Sequence, residues 1–284
     1  SRSIPLSAIT IALDSRGRMG FARGVMLTST HLLRRRRFLP LFVTQLFNAF
    51  NDNLYKTTMV LFVVYAVYND ESTEAAFSGL ASGLFILPFF LLSALAGQLA
   101  DMRDKARIIR TVKLCEIGLM TIGAAGLYMA WQGILVQTVA IPLLLLALFL
   151  TGVQSTFLGP IKYAILPQHL KQDEVLGGTG LVEAGTYIAI LAGTILAGPL
   201  AVEHTGWAAI GIIVIACIGY LVSRQVPAAP PMGEVEKLDW HILRASVKLV
   251  RDTMHNAEVY YAILAISFFW TIGAVLFIQF PPLA

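Results

Sequence analysis

Apolar residues fall into seven blocks along the chain, roughly 38–67, 75–99, 108–131, 134–158, 176–201, 206–223 and 258–280, separated by polar connections. About 20 apolar residues in a helix cross the roughly 30 Å hydrocarbon core of a bilayer. The pattern therefore predicts an all-α, polytopic membrane bundle. Its first block is interrupted at the centre by Asn51, Asp52, Asn53 and Lys56. Ionisable side chains at that depth cost about 2.5–3.5 kcal/mol each on insertion scales and persist mainly where they face a bundle interior or a watery cavity. The knot marks a transport pathway.

Lys and Arg occupy every second connection. Arg34 to Arg37 precede the first block, and Arg103, Lys105, Arg107 and Arg110 lie around the connection between the second and third. Lys162 and Lys171 separate the fourth from the fifth; Arg224, Lys237, Arg244, Lys248 and Arg251 separate the sixth from the seventh. The alternate connections, 69–74, 131–133 and 203–205, contain neither residue. Positive loops stay inside, so the N-terminus is expected in the cytoplasm and the end of the seventh block outside.

The first block is too long and too polar at its centre for a cleavable signal sequence. Residues 1–33 carry no strong apolar period, and Met19 or Met26 could be the natural start; a disordered cytoplasmic extension is expected there. The predicted organisation is this extension, a six-helix unit over 34–223, a cytoplasmic connection over 224–257 and a seventh helix over 258–284. It reads as a chain cut short. The connection opens on Pro227-Ala228-Ala229-Pro230-Pro231, a stiff stretch. Within 238–252, apolar Leu238, Ile242, Val247, Leu249 and Val250 alternate with Arg244, Lys248 and Arg251. That suits a helix on anionic lipid, and equally a linker helix with one solvated side.

Composition narrows the class. Mean hydropathy of +0.72 with 57% hydrophobic and 13% charged residues excludes an ordinary soluble domain, in which about 25% of residues are charged. The net charge of +4 sits at the membrane edges and is no nucleic-acid signal. Cys115 and Cys217 both lie in apolar blocks and read as small buried residues, without disulfide or metal spacing. An acyltransferase His-x4-Asp pair has one near match, His169 with Glu174, in a loop too short for a catalytic domain. No Gly-rich phosphate loop or Cys/His cluster appears, so no enzyme activity, cofactor or metal is expected of this chain.

The second connection reads Gly97-Gln98-Leu99-Ala100-Asp101-Met102-Arg103-Asp104-Lys105-Ala106-Arg107. Gly permits close helix approach, and an Asp at a helix end can accept backbone donors or bind a neighbouring Arg as a latch. With the surrounding topology, this stretch resembles the loop motif of the major facilitator superfamily. Gly97, Leu99 and Asp101 fall in place, while the basic residues are slightly shifted. Three further stretches belong together: Arg36 to Gln45 leading into Asn48-Ala49-Phe50-Asn51-Asp52-Asn53, Gly159-Pro160-Ile161-Lys162-Tyr163-Ala164-Ile165-Leu166-Pro167, and Gly180-Leu181-Val182-Glu183 through Ile190. They resemble the bacterial lysophospholipid transporter family, including forms fused to an acyltransferase and an acyl-carrier-protein synthetase. Ala164 stands where that pattern has Gly.

The resemblance implies the N-terminal half of a twelve-helix carrier in the bacterial inner membrane, flipping lysophospholipid by alternating access. Its partners would be the lipid, the bilayer, a second half-bundle and an acyltransferase or acyl-ACP synthetase. The expected substrate-binding residues are Asn48, Asn51, Asp52, Asn53, Lys56 and Glu183. Asp52 suits an ammonium and Lys56 a phosphate, although four residues apart on a helix they could pair with each other. Gly97, Asp101, Arg103, Arg107, Lys162 and Tyr163 are the expected gate. Lys113 and Glu116, three apart, read as a structural pair, and the glycines crowding the fifth block as packing. A carrier for another small molecule such as a drug is the alternative that the loop motif alone would allow.

Overall fold

The computed structural model describes residues 31–68, 71–231, 244, 247, 250, 251, 254, 255 and 257–279. Among them, all regular structure is helical. Seven long helices follow the apolar blocks: α1 Leu39–Leu61, α2 Glu71–Met102, α3 Lys105–Trp131, α4 Ile141–Ala164, α5 Val175–Val202, α6 Thr205–Ser223 and α7 Ala257–Gln279. α1 runs on through a π-helical stretch, Phe62–Tyr68, and a second such stretch, Val136–Ala140, leads into α4. A single turn, Leu166–His169, links α4 to α5.

Each boundary has a local cause. Pro40 sits in the first turn of α1, where a missing N–H costs nothing. Asp104 caps α3 by accepting from the Ala106 N–H at 2.9 Å. The turn after α3 uses Gly133 at φ 70, a left-handed conformation that glycine adopts without a Cβ clash. The extension 1–30 and most of the proposed surface helix over 238–252 lie outside the described residues. Within the latter, Arg244, Val247, Val250 and Arg251 are helical and exposed.

Among the described residues, five helical stretches are long and apolar enough to cross a membrane: Ala76–Met102, Lys105–Trp131, Val136–Ala164, Val175–Ala201 and Thr205–Ser223. α1 is not among them, because its interior carries Gln45, Asn48, Asn51, Asp52, Asn53 and Lys56. It packs instead mainly along α5 and α6; α2 packs on α4, and α3 bridges α4 and α6. Lipid gives helices no hydrophobic reason to associate, so close approach and internal hydrogen bonds must hold them. Gly193 of α5 supplies the approach to α1: a Cβ there would stand 2.5 Å from the Phe50 carbonyl oxygen. Gly152 of α4 does the same against the Phe85 carbonyl of α2.

Two apolar cores result. One surrounds Leu54, Tyr55, Met59, Met120, Leu144 and Ile212, with the Tyr55 hydroxyl donating to the Leu144 carbonyl at 2.8 Å. The other, at the end carrying the basic connections, surrounds Phe38, Leu41, Ile109, Ile161 and Leu170. Between Val226 and Pro231 the chain lies across that same end as a strap. Ala229 N–H donates to Asp104 at 3.0 Å, Lys105 N–H donates to the Ala229 carbonyl at 3.0 Å, and Arg110 donates to the Val226 carbonyl at 2.7 Å. Along α7, described side chains such as Tyr261, Ile266, Phe268 and Phe269 are exposed.

Candidate functional site

On α1, Asn48, Asn51 and Asp52 are spaced three and four apart, so they share one face. That face meets Lys113 and Glu116 of α3, Gln154 and Ser155 of α4, and the Ile212 carbonyl of α6. Asn48 donates to Asp52 at 3.0 Å, and the Ser155 hydroxyl donates to the same carboxylate at 2.7 Å. Asn51 donates to Glu116 at 3.0 Å and to the Ile212 carbonyl at 3.2 Å. Gln154 donates to Glu116 at 3.0 Å and to the Asn48 side-chain Oδ1 at 3.1 Å. Lys113 is ion-paired with Glu116 and donates to Asn48 at 3.3 Å. Every one of these groups except Ser155 is buried, Asn51, Lys113 and Glu116 at 0% exposure.

The cluster holds two carboxylates and one ammonium. Three of its buried oxygens, Asn51 Oδ1, Asp52 Oδ1 and Gln154 Oε1, accept no hydrogen bond. Buried acceptors without donors are costly, so the network is complete except for groups that would bring donors to it. Lys56, one turn beyond Asp52 on α1, forms no ion pair with it among the described residues. Its ammonium lies over the Phe85 ring of α2, 5.3 Å from the centroid, a cation–π contact. A carboxylate and an ammonium thus stand one turn apart on α1, and among the described residues neither forms an ion pair.

The sequence expectation is redrawn in four places. Asn53 turns back on its own helix and donates to the Ala49 carbonyl at 2.8 Å. Glu183 contacts not the knot but Lys162 at 2.9 Å and the Tyr163 hydroxyl, so it joins the expected gate. Gly97 has open space around it, and Asp101, Arg103 and Arg107 are exposed. Asp104, three residues on, makes contacts of the kind foreseen for Asp101, accepting from the Ala106 and Ala229 N–H groups. Partial burial opposes its charge, but the N–H groups of Ala229, Ala106 and Arg107 outweigh that and hold it below the usual carboxylate value. Lys113, Glu116, Gln154 and Ser155 are the members of the knot that the sequence did not assign to it.

At the same end, Glu174 stands at the N-terminus of α5, where a negative charge is favoured. It accepts from the Lys171 N–H at 3.0 Å and pairs with Arg37 at 2.5 Å and Arg35 at 3.7 Å. The Lys171 N–H first, and then the two guanidinium groups, hold its carboxyl below the ordinary glutamate value. Glu174 is thereby committed to tying α1 to α5 and does not orient His169 as a general base.

A family model described as Major Facilitator Superfamily matches residues 41–283. The chain belongs to this superfamily. It is a multi-pass membrane protein, with the polar knot in the interior of the bundle. Among similar curated proteins is "Lysophospholipid transporter LplT" of Cronobacter sakazakii, 26% identical over 245 residues, covering 85% of this chain and 56% of that protein. Proteins of the same name from Pectobacterium carotovorum (24% over 242 residues; 82% of this chain, 53% of that one) and Escherichia coli (26% over 241; 82% and 54%) are also similar. The chain spans about half the length of these relatives. No solved structure matches it.

Proposed function

We propose that this chain forms one half of a carrier that moves lysophospholipid across the bacterial inner membrane by alternating access, and that it is not an enzyme. The observation that carries the reading is the pair Asp52 and Lys56, adjacent on α1 and not neutralising one another. A zwitterionic head group crossing a low-dielectric interior needs both charges complemented at once. In the proposal Asp52 Oδ1 accepts from the ammonium and Lys56 meets the phosphate, while Asn48 and Ser155 hold the Asp52 carboxylate in place. The names of the similar proteins point to the same cargo.

The working unit would comprise the half-bundle 34–223, the connection 224–257, the helix 258–284 and a second half-bundle closing the far wall of the cavity. Such a carrier works by the two halves rocking about a midplane site. The N-terminus lies in the cytoplasm in this proposal, and the delivered lipid is reacylated there by an acyltransferase or acyl-ACP synthetase. The test is uptake of labelled lysophosphatidylethanolamine by spheroplasts lacking their own uptake system and expressing the gene's full natural product. Uptake above vector is expected. Its absence, with the protein present in the membrane, would sink the cargo assignment.

A further inference from the structure

The bundle end without Lys or Arg carries a groove of about 700 Å³ between α3 and α6. Its mouth is framed by Tyr128, Trp131 and Trp207 together with Glu203 and His204, and its walls are apolar, including Ala125, Ala209, Ile210 and Ile213. The rings are placed rather than scattered. Trp131 meets Tyr128 edge-on with centroids 6.1 Å apart. It also lies against the start of α6, where a Cβ on Gly206 would meet its ring at 3.4 Å. All three aromatics are exposed, Trp131 at 49% and Trp207 at 70%.

Aromatic faces beside a carboxylate attract an ammonium, and most strongly one that is already partly stripped of water. Among the described residues neither Lys nor Arg lines the groove to compete for Glu203 or to hold a free anion, and the one imidazole there, His204, stands next to that carboxylate in the chain. Below the mouth, the walls offer one apolar slot. An ammonium head joined to a single acyl chain meets each of these requirements. We propose that the α3–α6 groove is a peripheral binding site for a lysophospholipid with an ammonium head group, lying in the leaflet away from the basic connections and separate from the Asp52 knot. This rests on the lysophospholipid reading above, and assigns that cargo a place to dock before it reaches the interior.

The test is photolabelling of the full-length protein in detergent with lysophosphatidylethanolamine bearing a diazirine on its acyl chain, followed by peptide mapping. Labels are expected in 121–131 and 203–213. The lysophosphatidylglycerol of the same chain should label these peptides about fivefold less, the scale of one cation–π and carboxylate contact. Glu203→Gln should erase that preference. Ala125→Phe, at an exposed position, should block labelling of the groove while thermal unfolding stays unchanged. Equal labelling by both head groups would reduce the groove to an unselective crevice and overturn the proposal, as would labels confined to peptides around Asp52. Groove labelling without cellular uptake would remove the transport reading and keep the site. Uptake without groove labelling would do the reverse.

Discussion

Lys113 and Glu116 form an ion pair in the interior of the bundle. Each is completely buried, and removal of one partner leaves the other charge stranded, at about 3–5 kcal/mol. Glu116→Gln and Lys113→Met should each lower the thermal unfolding temperature of the purified protein sharply. The double variant Lys113→Met/Glu116→Met should recover most of the loss. Simple addition of the two single losses would show that the pair is not coupled. Asp52→Asn differs in kind, because it keeps the shape and the Ser155 contact while deleting the charge. It should leave membrane expression intact and reduce lysophosphatidylethanolamine uptake by about tenfold or more, equivalent to ~1.4 kcal/mol. Unchanged uptake would return Asp52 to a structural role. The α1 half of this site was legible in the sequence because Asn48, Asn51 and Asp52 break an apolar run at helix spacing. The rest was not, since Asn51 and Glu116 are 65 positions apart and only packing of α3 on α6 and α4 brings them together. Gln154 and Ser155 did leave a signal, two polar residues amid an apolar block.

Most helix boundaries were legible to within about four residues because prolines, Asp104 and Gly133 punctuate the apolar blocks, although α4 ends at Ala164, six residues beyond its block; which faces touch had to come from packing. The crowd of glycines in the fifth block shows the difference. Gly193 lies against the backbone of α1, but Gly198 has nothing within 4 Å. Backbone cannot step aside as a side chain can, so Gly193→Ala should destabilise the bundle by about 1–3 kcal/mol. Gly198→Ala should be near neutral in the same thermal measurement. Equal effects would mean that α1 and α5 do not approach as closely as described. The strap adds a pH dependence. Asp104 has its carboxyl held below its ordinary value of 3.8, so the folded state binds this proton less readily than the unfolded one. Its contribution is then fully present above that value and is lost as pH falls through the lower folded one. The unfolding temperature of Asp104→Asn should lie below that of the parent at neutral pH, with the gap closing in that acid range. A gap independent of pH would mean that shape, not charge, holds Ala229.

The two ends of the whole molecule differ in what ties them. At one, Arg35 and Arg37 reach Glu174, Lys162 reaches Glu183, and Asp104 and Arg110 hold the strap, so five helices are stapled by charge-assisted contacts. At the other, the connections offer Trp131, Gly133, Glu203 and His204, with neither Lys nor Arg. Anionic lipid and the insertion machinery retain positive loops on the cytoplasmic side, and ion pairs at that edge keep their partners hydrated while they fasten the helices. The asymmetry that would orient the chain in our proposal coincides with a far end of α3 and α6 that carries no such staples and holds the groove. Orientation can be read directly by cysteine accessibility in the full-length protein, with Cys115 and Cys217 replaced by alanine. Gln132→Cys and Lys171→Cys are both exposed positions at opposite ends. In intact cells an impermeant maleimide should label Gln132→Cys, while Lys171→Cys should react only after the membrane is opened. The reverse pattern would invert the topology and, with it, the leaflet from which the groove is loaded. Labelling of both in intact cells would contradict a bundle that crosses the membrane between them.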